Sequence, residues 1–593
     1  MTTKATNKDG HRLSPAKITW RGEIPYAEDY GDVYYSEHYS PDGIAEVRRV
    51  FLEPSQILER KDQPLLRVGE LGFGSGLNFL VTADWILKET NARLHFVSFE
   101  AHPLAPADWQ RVNEPRKPKL SLAGALANAN LPLLSGWHTR IFEDGRIRLS
   151  VYHGSASEGI ATLQRWQADA WFLDGFAPDR NTDLWQDTLL HAIGTCTRTG
   201  GTVATFTATG HVRRNLIAAG FEMRKVDQRP HKRESLAGIK SSGQSKTTTL
   251  ASVQVFGAGI AGASIARQLA EEDIDVTVFD PGGIAPKTSS MPYTILHPRL
   301  LGDGSANAAY RAHAFHFASH YIQAHEGYDP RPVLHVEPDD KKQKKFDRIG
   351  HFYGADDPTE SWLQILTPED ASDLAQRPIE NPSFLFTHTA VINLAKICRS
   401  LLNHNRIEFV QRQGDIDHNT PTIVCTGAEA RRLDGLEWLE VNPVNGRLHA
   451  LEFAERSTTL PIVGNGYLIP TDEGAVIGST YEYKAWKDDE ALEQNLKLNR
   501  SYLPEAFKVR DTYRGSRAIS SDRNPIVGKV AENLWVSTGH GSMGTSSGPY
   551  AAAILTAEIV QGAPVACASQ LELVHPKRFL ERQARRGRLR RDR

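Results

Sequence analysis

The chain has 593 residues, which exceeds the size at which one hydrophobic core stops growing, so we expect roughly two to four domains. Its 40% hydrophobic and 24% charged content is typical of a globular protein, and no apolar run is long enough to span a bilayer. The four cysteines are far apart, which argues against a disulfide framework or a zinc ribbon. The start of the chain lacks the apolar segment of a secretory signal, so we expect a cytoplasmic monomer with no membrane partner.

The first indication of a ligand site is an apolar segment followed by a glycine-rich turn. Residues Leu65–Leu71 are predicted to form a buried strand and Leu77–Leu87 a helix, with ELGFGSGLNF at their junction. The glycines between them, Gly72, Gly74 and Gly76, let the backbone approach a ligand closely, and the helix N-terminus adds free N–H groups. Their GxGxG spacing is shorter than that of a pyrophosphate-binding turn.

Two further strands are predicted to end beside this turn. Leu94–Phe99 leads to Glu100, a carboxylate that can accept hydrogen bonds from two ribose hydroxyls at the carboxyl edge of a parallel sheet. Asp169–Leu173 brings Asp174 to the same edge. These segments have the layout of an S-adenosylmethionine site. Together with a late strand at residues 201–206, they predict a doubly wound α/β sheet.

A second glycine-rich turn opens the other half of the chain. It follows a segment rich in Ser, Thr and Lys, residues 239–250, which we interpret as a linker. The sequence VQVFGAGIAGASIA, residues 253–266, predicts a strand, a GxGxxG turn and a helix, and an acid follows about twenty residues later, as a ribose-binding Rossmann unit requires. The pattern predicts a dinucleotide site formed by Gly257, Gly259, Gly262 and Asp280.

The far end of the chain favours FAD over NAD as that dinucleotide. A predicted strand, Leu534–Ser537, leads into the glycine-rich sequence TGHGSMGTSSG. The N-terminus of the helix that follows can present N–H groups to a carbonyl of the isoalloxazine ring, where charge develops on reduction. The glycines of this second turn are Gly539, Gly541 and Gly544.

Three histidines in the middle of the chain have a spacing that could suggest a metal site. His313, His316 and His320 can share one face of a helix. No fourth ligand is evident nearby, and aromatic residues interleave the same segment. We therefore predict a structural or substrate-covering role for these histidines and no metal.

The end of the chain is strongly basic, although the net charge is only −2. Residues 577–593 contain nine Lys or Arg and two acids, a composition that suits a polyanionic partner. A second basic cluster, MRKVDQRPHKRE, occupies residues 223–234. Both segments are predicted to contact phosphates, which would give salt-dependent and largely sequence-independent affinity for RNA.

Taken together, these motifs resemble those of the MnmC family of bifunctional tRNA wobble-uridine enzymes. A half that carries ELGFGSGLNF, DGFAP and HKRESLAG precedes a half similar to glycine oxidase and D-amino-acid oxidase, which carries GAGIAG, GYLIPTDEGAVIGSTYE and TGHGSMG. The resemblance covers nearly the whole chain. It implies that the flavin half removes the carboxymethyl group from 5-carboxymethylaminomethyl-(2-thio)uridine of tRNA, and that the other half methylates the exposed amine with S-adenosylmethionine.

The resemblance also implies a domain order. A Rossmann-like methyltransferase domain is expected at residues 1–238, followed by the linker at 239–250. Residues 251–575 are expected to form an FAD-binding Rossmann domain with an antiparallel-sheet substrate domain like that of D-amino-acid oxidase, and residues 576–593 a basic tail.

Site residues follow from the same resemblance. Arg517 and Tyr467 match the positions at which glycine-oxidase-like enzymes hold their substrate, and an arginine fork suits a carboxylate. In the other half, Asp174 can accept a hydrogen bond from the amine while Phe176 packs alongside. The expected S-adenosylmethionine site comprises Glu70, Gly72, Gly74, Gly76, Asn78 and Glu100, and the expected FAD site comprises Gly257, Gly259, Gly262, Asp280, Gly539, Gly541 and Gly544.

Two alternatives remain open from the sequence. One is a small-amine or amino-acid oxidase fused to an N-methyltransferase that acts on free metabolites, and the other is a non-catalytic RNA-binding protein with a degenerate flavin half. The chain departs from the family pattern after Asp280, where Ser289 is kept but Ser290 and Met291 replace the usual residues. This departure bears on the substrate side of the flavin site.

Overall fold

A computed structural model describes residues 11–36, 39–129, 131–231, 233–242, 250–337, 343–357, 361–416, 419–454 and 458–587. The chain divides into two compact units, of which the first comprises Met1–Thr249 and Ala557–Cys567, and the second Leu250–Thr556 and Ala568–Arg593. No helix in the described ranges combines the length and the apolar character needed to cross a membrane.

The first unit is organised around an eight-stranded sheet with the order β10-β11-β9-β8-β4-β5-β7-β6. The five strands from β9 to β7 in that order are parallel, and β6, β10 and β11 add antiparallel edges. A small antiparallel sheet, β1-β2-β3, precedes it. The strands are β1 Ile18–Arg21, β2 Ile24–Ala27, β3 Asp32–Val33, β4 Leu65–Leu71, β5 Arg93–Glu100, β6 Gly136–Phe142, β7 Ile147–His153, β8 Ala168–Leu173, β9 Thr197–Thr205, β10 Phe221–Asp227 and β11 Glu234–Lys240.

Hydrophobic residues cover both faces of this sheet, as its nearly continuous apolar strands require. Phe79, Phe96 and Phe172 pack on one face, and Trp137 and Trp171 pack on the other. Burial on both faces fixes the central strands, so their carboxyl ends form a defined edge. The helices of this unit are α1 Ile44–Val47, α2 Leu77–Glu89, α3 Pro106–Asn113, α4 Ala123–Ala127, α5 Ala156–Ile160, α6 Asp187–Thr195 and α7 Gly210–Ala218.

The second unit contains three sheets. The first has the order β20-β13-β12-β21-β28-β27 and is parallel except for β27, which is the arrangement of a Rossmann domain. The second is the three-stranded sheet β14-β19-β15. The strands that form them are β12 Ser252–Phe256, β13 Asp275–Phe279, β14 Thr294–Leu296, β15 Tyr328–Pro330, β19 Ala390–Ile392, β20 Ile407–Val410, β21 Thr422–Val424, β27 Ile526–Ala531 and β28 Leu534–Thr538.

An eight-stranded, mainly antiparallel sheet completes this unit, with the order β17-β18-β16-β23-β24-β25-β22-β26. Only the β16–β23 pair among the pairings of this sheet in the described ranges is parallel. Its strands are β16 Val333–Val336, β17 Leu363–Leu366, β18 Ser383–Phe386, β22 Val441–Glu452, β23 Ile462–Val463, β24 Tyr467–Thr471, β25 Gly474–Gly478 and β26 Lys508–Ser520. The predicted fold class, two Rossmann-like halves with an antiparallel-sheet substrate domain in the second, is confirmed.

The remaining helices belong to the second unit, except that the last residues of the helix Gly544–Ile559 belong to the first. They are α8 Ile260–Ala270, α9 Ala306–Tyr321, α10 Gln343–Tyr353, α11 Pro368–Ala375, α12 Leu394–Leu402, α13 Asp488–Asn499, α14 Gly544–Ile559, α15 Ala568–Val574 and α16 Arg578–Arg585. The three histidines of interest lie on α9. His313 Nδ1 lies 2.8 Å from the carbonyl oxygen of Ala309, and the ring of His316 packs edge-on against Trp362. No group of three potential metal ligands occurs among the described residues.

Two segments of the sequence-based prediction are described in part by the structure. Strand β11 continues to Lys240, so residues 239 and 240 belong to the sheet instead of the linker, because their backbone pairs with β10. In the segment predicted as a basic tail, residues 576–593, Arg578–Arg585 form helix α16 with Phe579 buried. Residues 588–593, part of the same prediction, lie outside the described residues.

Candidate active sites

The turn after β4 lies against the loop that follows β8. Gly72 has a φ of 79°, and a side chain added there would meet the Cα of Gly175 at 3.1 Å. A residue with a Cβ would therefore be strained and would push the two loops apart. Gly74 and Gly76 continue the turn, and Gly76 is the N-cap of α2. These strand ends form a narrow cradle at the carboxyl edge of the sheet, which fits a cofactor held closely by backbone.

Two glutamates support this cradle from neighbouring strands. Glu70 is buried and accepts a 2.6 Å hydrogen bond from Ser98 Oγ, and burial raises its pKa well above the usual range. Glu100 accepts hydrogen bonds from the backbone N–H groups of Gly74, at 2.7 Å, and His102, at 2.9 Å. Because each carboxylate oxygen has two lone pairs, Glu100 keeps acceptor capacity for ribose hydroxyls. The structure thus brings both predicted glutamates to the glycine turn.

Asp174 and Asn78 meet at the same place. Asn78 Nδ2 donates a 2.7 Å hydrogen bond to Asp174 Oδ2, and the backbone N–H of Gly175 donates to Oδ1 at 2.8 Å. The charge of Asp174 is also one of the causes that raise the pKa of Glu70. The carboxylate of Asp174 is therefore oriented by two donors and half-buried, as a group that positions an amine should be.

Phe176 belongs to an aromatic cluster that the sequence analysis missed. Its ring stacks on Tyr30 with centroids 4.5 Å apart and meets Tyr34 edge-on at 5.5 Å. Burial, and then the charge of Glu100, raise the pKa of both tyrosine hydroxyls, so both stay protonated and can donate hydrogen bonds. A pair of half-buried rings beside a carboxylate is suited to holding a planar base. The tyrosines of the sequence YGDVYY, residues 30–35, were the sequence feature that could have indicated this aromatic cluster.

In the second unit, the turn between β12 and α8 is closely packed. A side chain at Gly262 would lie 1.8 Å from the carbonyl oxygen of Gly257, so only glycine fits there. The backbone N–H of Ile260 donates to Ser289 Oγ at 3.1 Å, which places the retained serine at the N-terminus of α8. Thr426 Oγ1, near Gly257, is buried without a hydrogen-bond partner among the described residues. This polar atom and the close-packed glycines fit a dinucleotide.

Asp280 and the second glycine turn both reach this region. Asp280 Oδ2 accepts a 2.9 Å hydrogen bond from the N–H of Ala258. A side chain at Gly544 would meet Ile260 at 3.6 Å, so the start of α14 adjoins the start of α8. Gly539 and Gly541 lie in the same turn, both with positive φ. The structure therefore brings the predicted FAD residues together from opposite ends of the unit.

The predicted substrate residues lie on the antiparallel sheet. Arg517, on β26, donates from Nη1 to the carbonyl oxygen of Thr480 at 3.0 Å and from Nη2 to Ser479 Oγ at 2.8 Å. Burial raises the pKa of the Tyr467 hydroxyl, and the charge of Arg517 acts in the opposite direction. Arg517 is thus fixed in place and close enough to Tyr467 for their charges to interact.

Tyr481 also belongs to this site and was missed from the sequence. The guanidinium carbon of Arg517 lies 4.6 Å from the centre of its ring. Tyr481 directly follows Ser479 and Thr480, the two residues that hold Arg517. Its place in the motif GAVIGSTYE is the sequence feature that could have indicated its role. Arg517, the Thr480 carbonyl, the Ser479 hydroxyl and the two tyrosines form a polar group that can hold a carboxylate.

Known protein families match both halves of the chain. Residues 252–558 match the family described as FAD dependent oxidoreductase, and residues 121–241 match the family described as S-adenosyl-L-methionine-dependent methyltransferase. These matches confirm the prediction of FAD and S-adenosylmethionine as cofactors.

Relatives that match over nearly the whole chain are bifunctional proteins by name. The chain is 30% identical to the tRNA 5-methylaminomethyl-2-thiouridine biosynthesis bifunctional protein MnmC of Marinobacter nauticus, over 93% of this chain and 95% of that protein. It is 28% identical to the protein of the same name from Stutzerimonas stutzeri, over 96% and 98%. Among solved structures, glycine oxidase from Geobacillus kaustophilus aligns with a TM-score of 0.47 at 16% identity, over 55% of this chain and 98% of that one.

Proposed function

We propose, since the chain belongs to the MnmC family of bifunctional tRNA-modifying proteins, that it carries out two consecutive reactions on the wobble uridine of tRNA. The first removes the carboxymethyl group of 5-carboxymethylaminomethyl-(2-thio)uridine and leaves a primary amine. The second transfers a methyl group to that amine. We place both reactions in the cytoplasm and on a monomer.

One observation carries the proposal. The chain contains two sites whose fixed polar groups suit the two ends of one substituent, N–CH2–COO−. Arg517, held by Thr480 and Ser479, suits the carboxylate, and Asp174, held by Asn78, suits the amine that remains when the carboxylate has gone. An oxidase and a methyltransferase for unrelated metabolites would not need this correspondence.

In the oxidase site the protein mainly binds and orients. When bound, FAD would accept the hydride that leaves the CH2 group, and water would then cleave the imine left on the substrate into the amine and glyoxylate. Arg517 holds the carboxylate through paired hydrogen bonds and so fixes the CH2 group relative to the flavin. Tyr467, whose pKa is raised by burial, stays protonated and can donate a further hydrogen bond to the substrate.

In the methyltransferase site the amine must be neutral and aligned. When bound, S-adenosylmethionine would supply the methyl group, with the C–S bond breaking as the N–C bond forms, and the proton released from the methylated nitrogen would pass to water. Asp174 accepts a hydrogen bond from the amine and directs its lone pair, while Phe176 and Tyr30 hold the uracil ring. Tyr34 closes the same side of the site, against the position of Gly74.

Of the two basic segments that the sequence suggested for contact with tRNA, we retain the one at residues 223–234. Arg578 and Arg582 are paired with Asp522, so the helix formed by the C-terminal basic segment directs two of its arginines inward. In the other basic cluster, Arg229 pairs with Asp227 and Lys225 with Glu234, but these pairs are exposed and weak. We propose that the β10–β11 hairpin, which carries that cluster, contacts the phosphates.

The test is nucleoside mass spectrometry of tRNA that carries the carboxymethylaminomethyl base. Purified protein should yield the aminomethyl nucleoside without S-adenosylmethionine and the methylaminomethyl nucleoside with it. Asp174→Asn should stop at the aminomethyl product, and Arg517→Gln should leave the starting nucleoside. If wild-type protein leaves the tRNA unchanged but oxidises sarcosine or glycine, the free-metabolite alternative is correct.

A further inference from the structure

A second arginine lies at the substrate side of the oxidase site. Arg299 follows β14, and its Nη1 donates a 3.1 Å hydrogen bond to Ser542 Oγ in the glycine-rich turn before α14. The carbonyl oxygen of Arg299 accepts a hydrogen bond from Arg311 Nη1 at 3.2 Å, which fixes the backbone. Arg299 is therefore held at both its ends, by the turn at its guanidinium and by α9 at its backbone.

Arg299 and Arg517 share one neighbour, the phenol of Tyr481. Burial raises the pKa of this hydroxyl, but the charges of Arg299 and Arg517, together with hydrogen bonds to Ser542 and Arg299, lower it overall. The two guanidinium groups thus act on the same side chain and belong to one site. The sequence places them more than two hundred residues apart, so neither pattern nor spacing indicated the pair.

The two arginines differ in their surroundings. Arg517 is half-buried and both its terminal nitrogens bond to the protein, whereas Arg299 and Ser542 are exposed. The N–CH2–COO− substituent has a single carboxylate, which one guanidinium fork can hold. Because Arg299 is an exposed second cation at the site, it suits an anion of the substrate that is not part of this substituent. In a tRNA substrate, the anions nearest to the modified base are the phosphodiesters of the anticodon loop.

The segment after β25, which carries Tyr481, also exposes an aromatic ring. Tyr483, two residues beyond Tyr481, is 70% exposed, the largest value among the exposed large hydrophobic side chains in the described ranges. Exposed aromatic rings next to arginines are typical of surfaces that bind single-stranded nucleic acid, because bases stack on the rings while the cations hold the backbone. The exposed ring is a second, independent feature that suits RNA, and it lies two residues along the chain from Tyr481.

We propose that Arg299 binds a phosphodiester of the anticodon loop and so selects RNA-borne substrate over free amines. The proposal rests on the function proposed above and adds a specificity-determining residue to the oxidase reaction. Arg517 recognises the reacting substituent, and Arg299 recognises that the substituent is attached to a polynucleotide.

The experiment compares two substrates with the full-length flavin-loaded protein. One is tRNA with the carboxymethylaminomethyl wobble base, and the other is the free nucleoside with the same substituent. For Arg299→Gln we expect kcat/KM for tRNA to fall about tenfold or more, with no change for the nucleoside. The slope of log kcat/KM for tRNA against log salt should decrease by about one, as loss of one phosphate contact requires.

Three further variants make the result specific. Arg299→Lys keeps the charge and should restore the salt slope. Arg517→Gln should lose activity on both substrates. Arg514→Gln removes an exposed arginine of the same strand as Arg517, one that pairs with Asp488, and should change neither activity. The absorbance of the bound flavin and the melting temperature of each variant verify that the variant is folded.

Equal losses on tRNA and nucleoside with Arg299→Gln would overturn the proposal and assign Arg299 to the carboxylate or the flavin. Unchanged activity on tRNA would overturn it as well. A wild-type protein that oxidises the nucleoside but never the tRNA would instead contradict the proposed function, a result that the wild-type assays give before any variant is made.

Discussion

Asn78 Nδ2 and Asp174 Oδ2 are joined by a 2.7 Å hydrogen bond. The bond links the first turn of α2, which follows the glycine turn, to the end of β8, so the cofactor side and the acceptor side of the methyltransferase site are fixed relative to each other. Since methyl transfer needs three atoms nearly in line, we propose that this connection controls the alignment of the reaction.

Removing the carboxylate of Asp174 should therefore abolish alignment of the amine. We expect Asp174→Asn to lower kcat for methylation of aminomethyl tRNA by roughly 100-fold while the affinity for S-adenosylmethionine stays nearly unchanged. Asn78→Ala should have a smaller effect in the same direction. Single-turnover methylation and isothermal titration with the cofactor separate the two quantities, and a loss of cofactor binding in Asp174→Asn would contradict a role in positioning.

Arg517 should be essential only for the oxidase reaction. Arg517→Gln removes the charged fork and leaves the carbonyl of Thr480 without its donor, so we expect oxidation to fall by roughly 100-fold. Arg517→Lys keeps the charge but loses the paired geometry and should recover only part of the activity. Flavin reduction under anaerobic conditions measures the step directly. Methylation of aminomethyl tRNA by the same variants serves as the control and should remain at the wild-type rate.

Tyr30 should act through its ring and not through its hydroxyl. The stacked contact with Phe176 predicts that Tyr30→Ala raises KM for aminomethyl tRNA by about fivefold to tenfold, because stacking on the base is weakened. Tyr30→Phe should resemble the wild type. If both variants are equally impaired, the hydroxyl and not the ring is responsible, and the stacking assignment would have to be abandoned.

Asp522 should contribute to the stability of the second unit. Burial raises the pKa of its carboxyl, but hydrogen bonds and charges of Arg578 and Arg582 outweigh it and lower the pKa from 3.8 to about 2. A lowered pKa stabilises the fold fully above the unfolded value near 3.8, and this stabilisation is lost as the pH falls from about 4 to about 2. We expect Asp522→Asn to reduce stability by about 1–2 kcal/mol at pH 7, after allowance for solvent screening.

The measurement is urea unfolding monitored by release of flavin fluorescence between pH 3.5 and pH 8. The difference between wild type and Asp522→Asn should be constant above about pH 5 and shrink below about pH 4. Asp227→Asn provides the matched control, since Asp227 forms an exposed pair with Arg229 in the first unit and should leave this transition unchanged. A difference that grows on acidification would be incompatible with the ion pairs.

Strands of the two Rossmann-like sheets were predictable because local signals agree there. The apolar run Leu65–Leu71 matches β4 at both ends, and the strand predicted at Leu94–Phe99 extends by one residue at each end in β5. Buried parallel strands need continuous apolar residues, and the glycine turns that follow mark where each strand stops. The residues at those strand ends, Glu100 and Asp174, could therefore be placed at one edge.

Contacts between distant segments were not predictable in the same way. Tyr30 and Phe176 are separated by most of the first unit, and nothing in the sequence specifies that their rings stack. The inward direction of the Arg578 side chain could not be predicted for another reason, because a basic segment is usually exposed to solvent. Only the burial of Phe579 and the ion pair of Arg578 show that this segment packs against the protein. Site residues that depend on such tertiary contacts require the structure.

The carboxyl groups of Glu70, Glu100 and Asp174 around one glycine turn have a consequence for turnover. S-adenosylmethionine carries a positive sulfonium, and the S-adenosylhomocysteine left after methyl transfer does not. Burial raises the pKa of the Glu70 and Glu100 carboxyl groups and so favours their uncharged forms, so the site distinguishes the charged donor from the uncharged by-product less than three carboxylates would. Methyl donor and by-product would therefore bind with more similar affinities than three full negative charges would give, and the by-product would compete with fresh donor until it is removed.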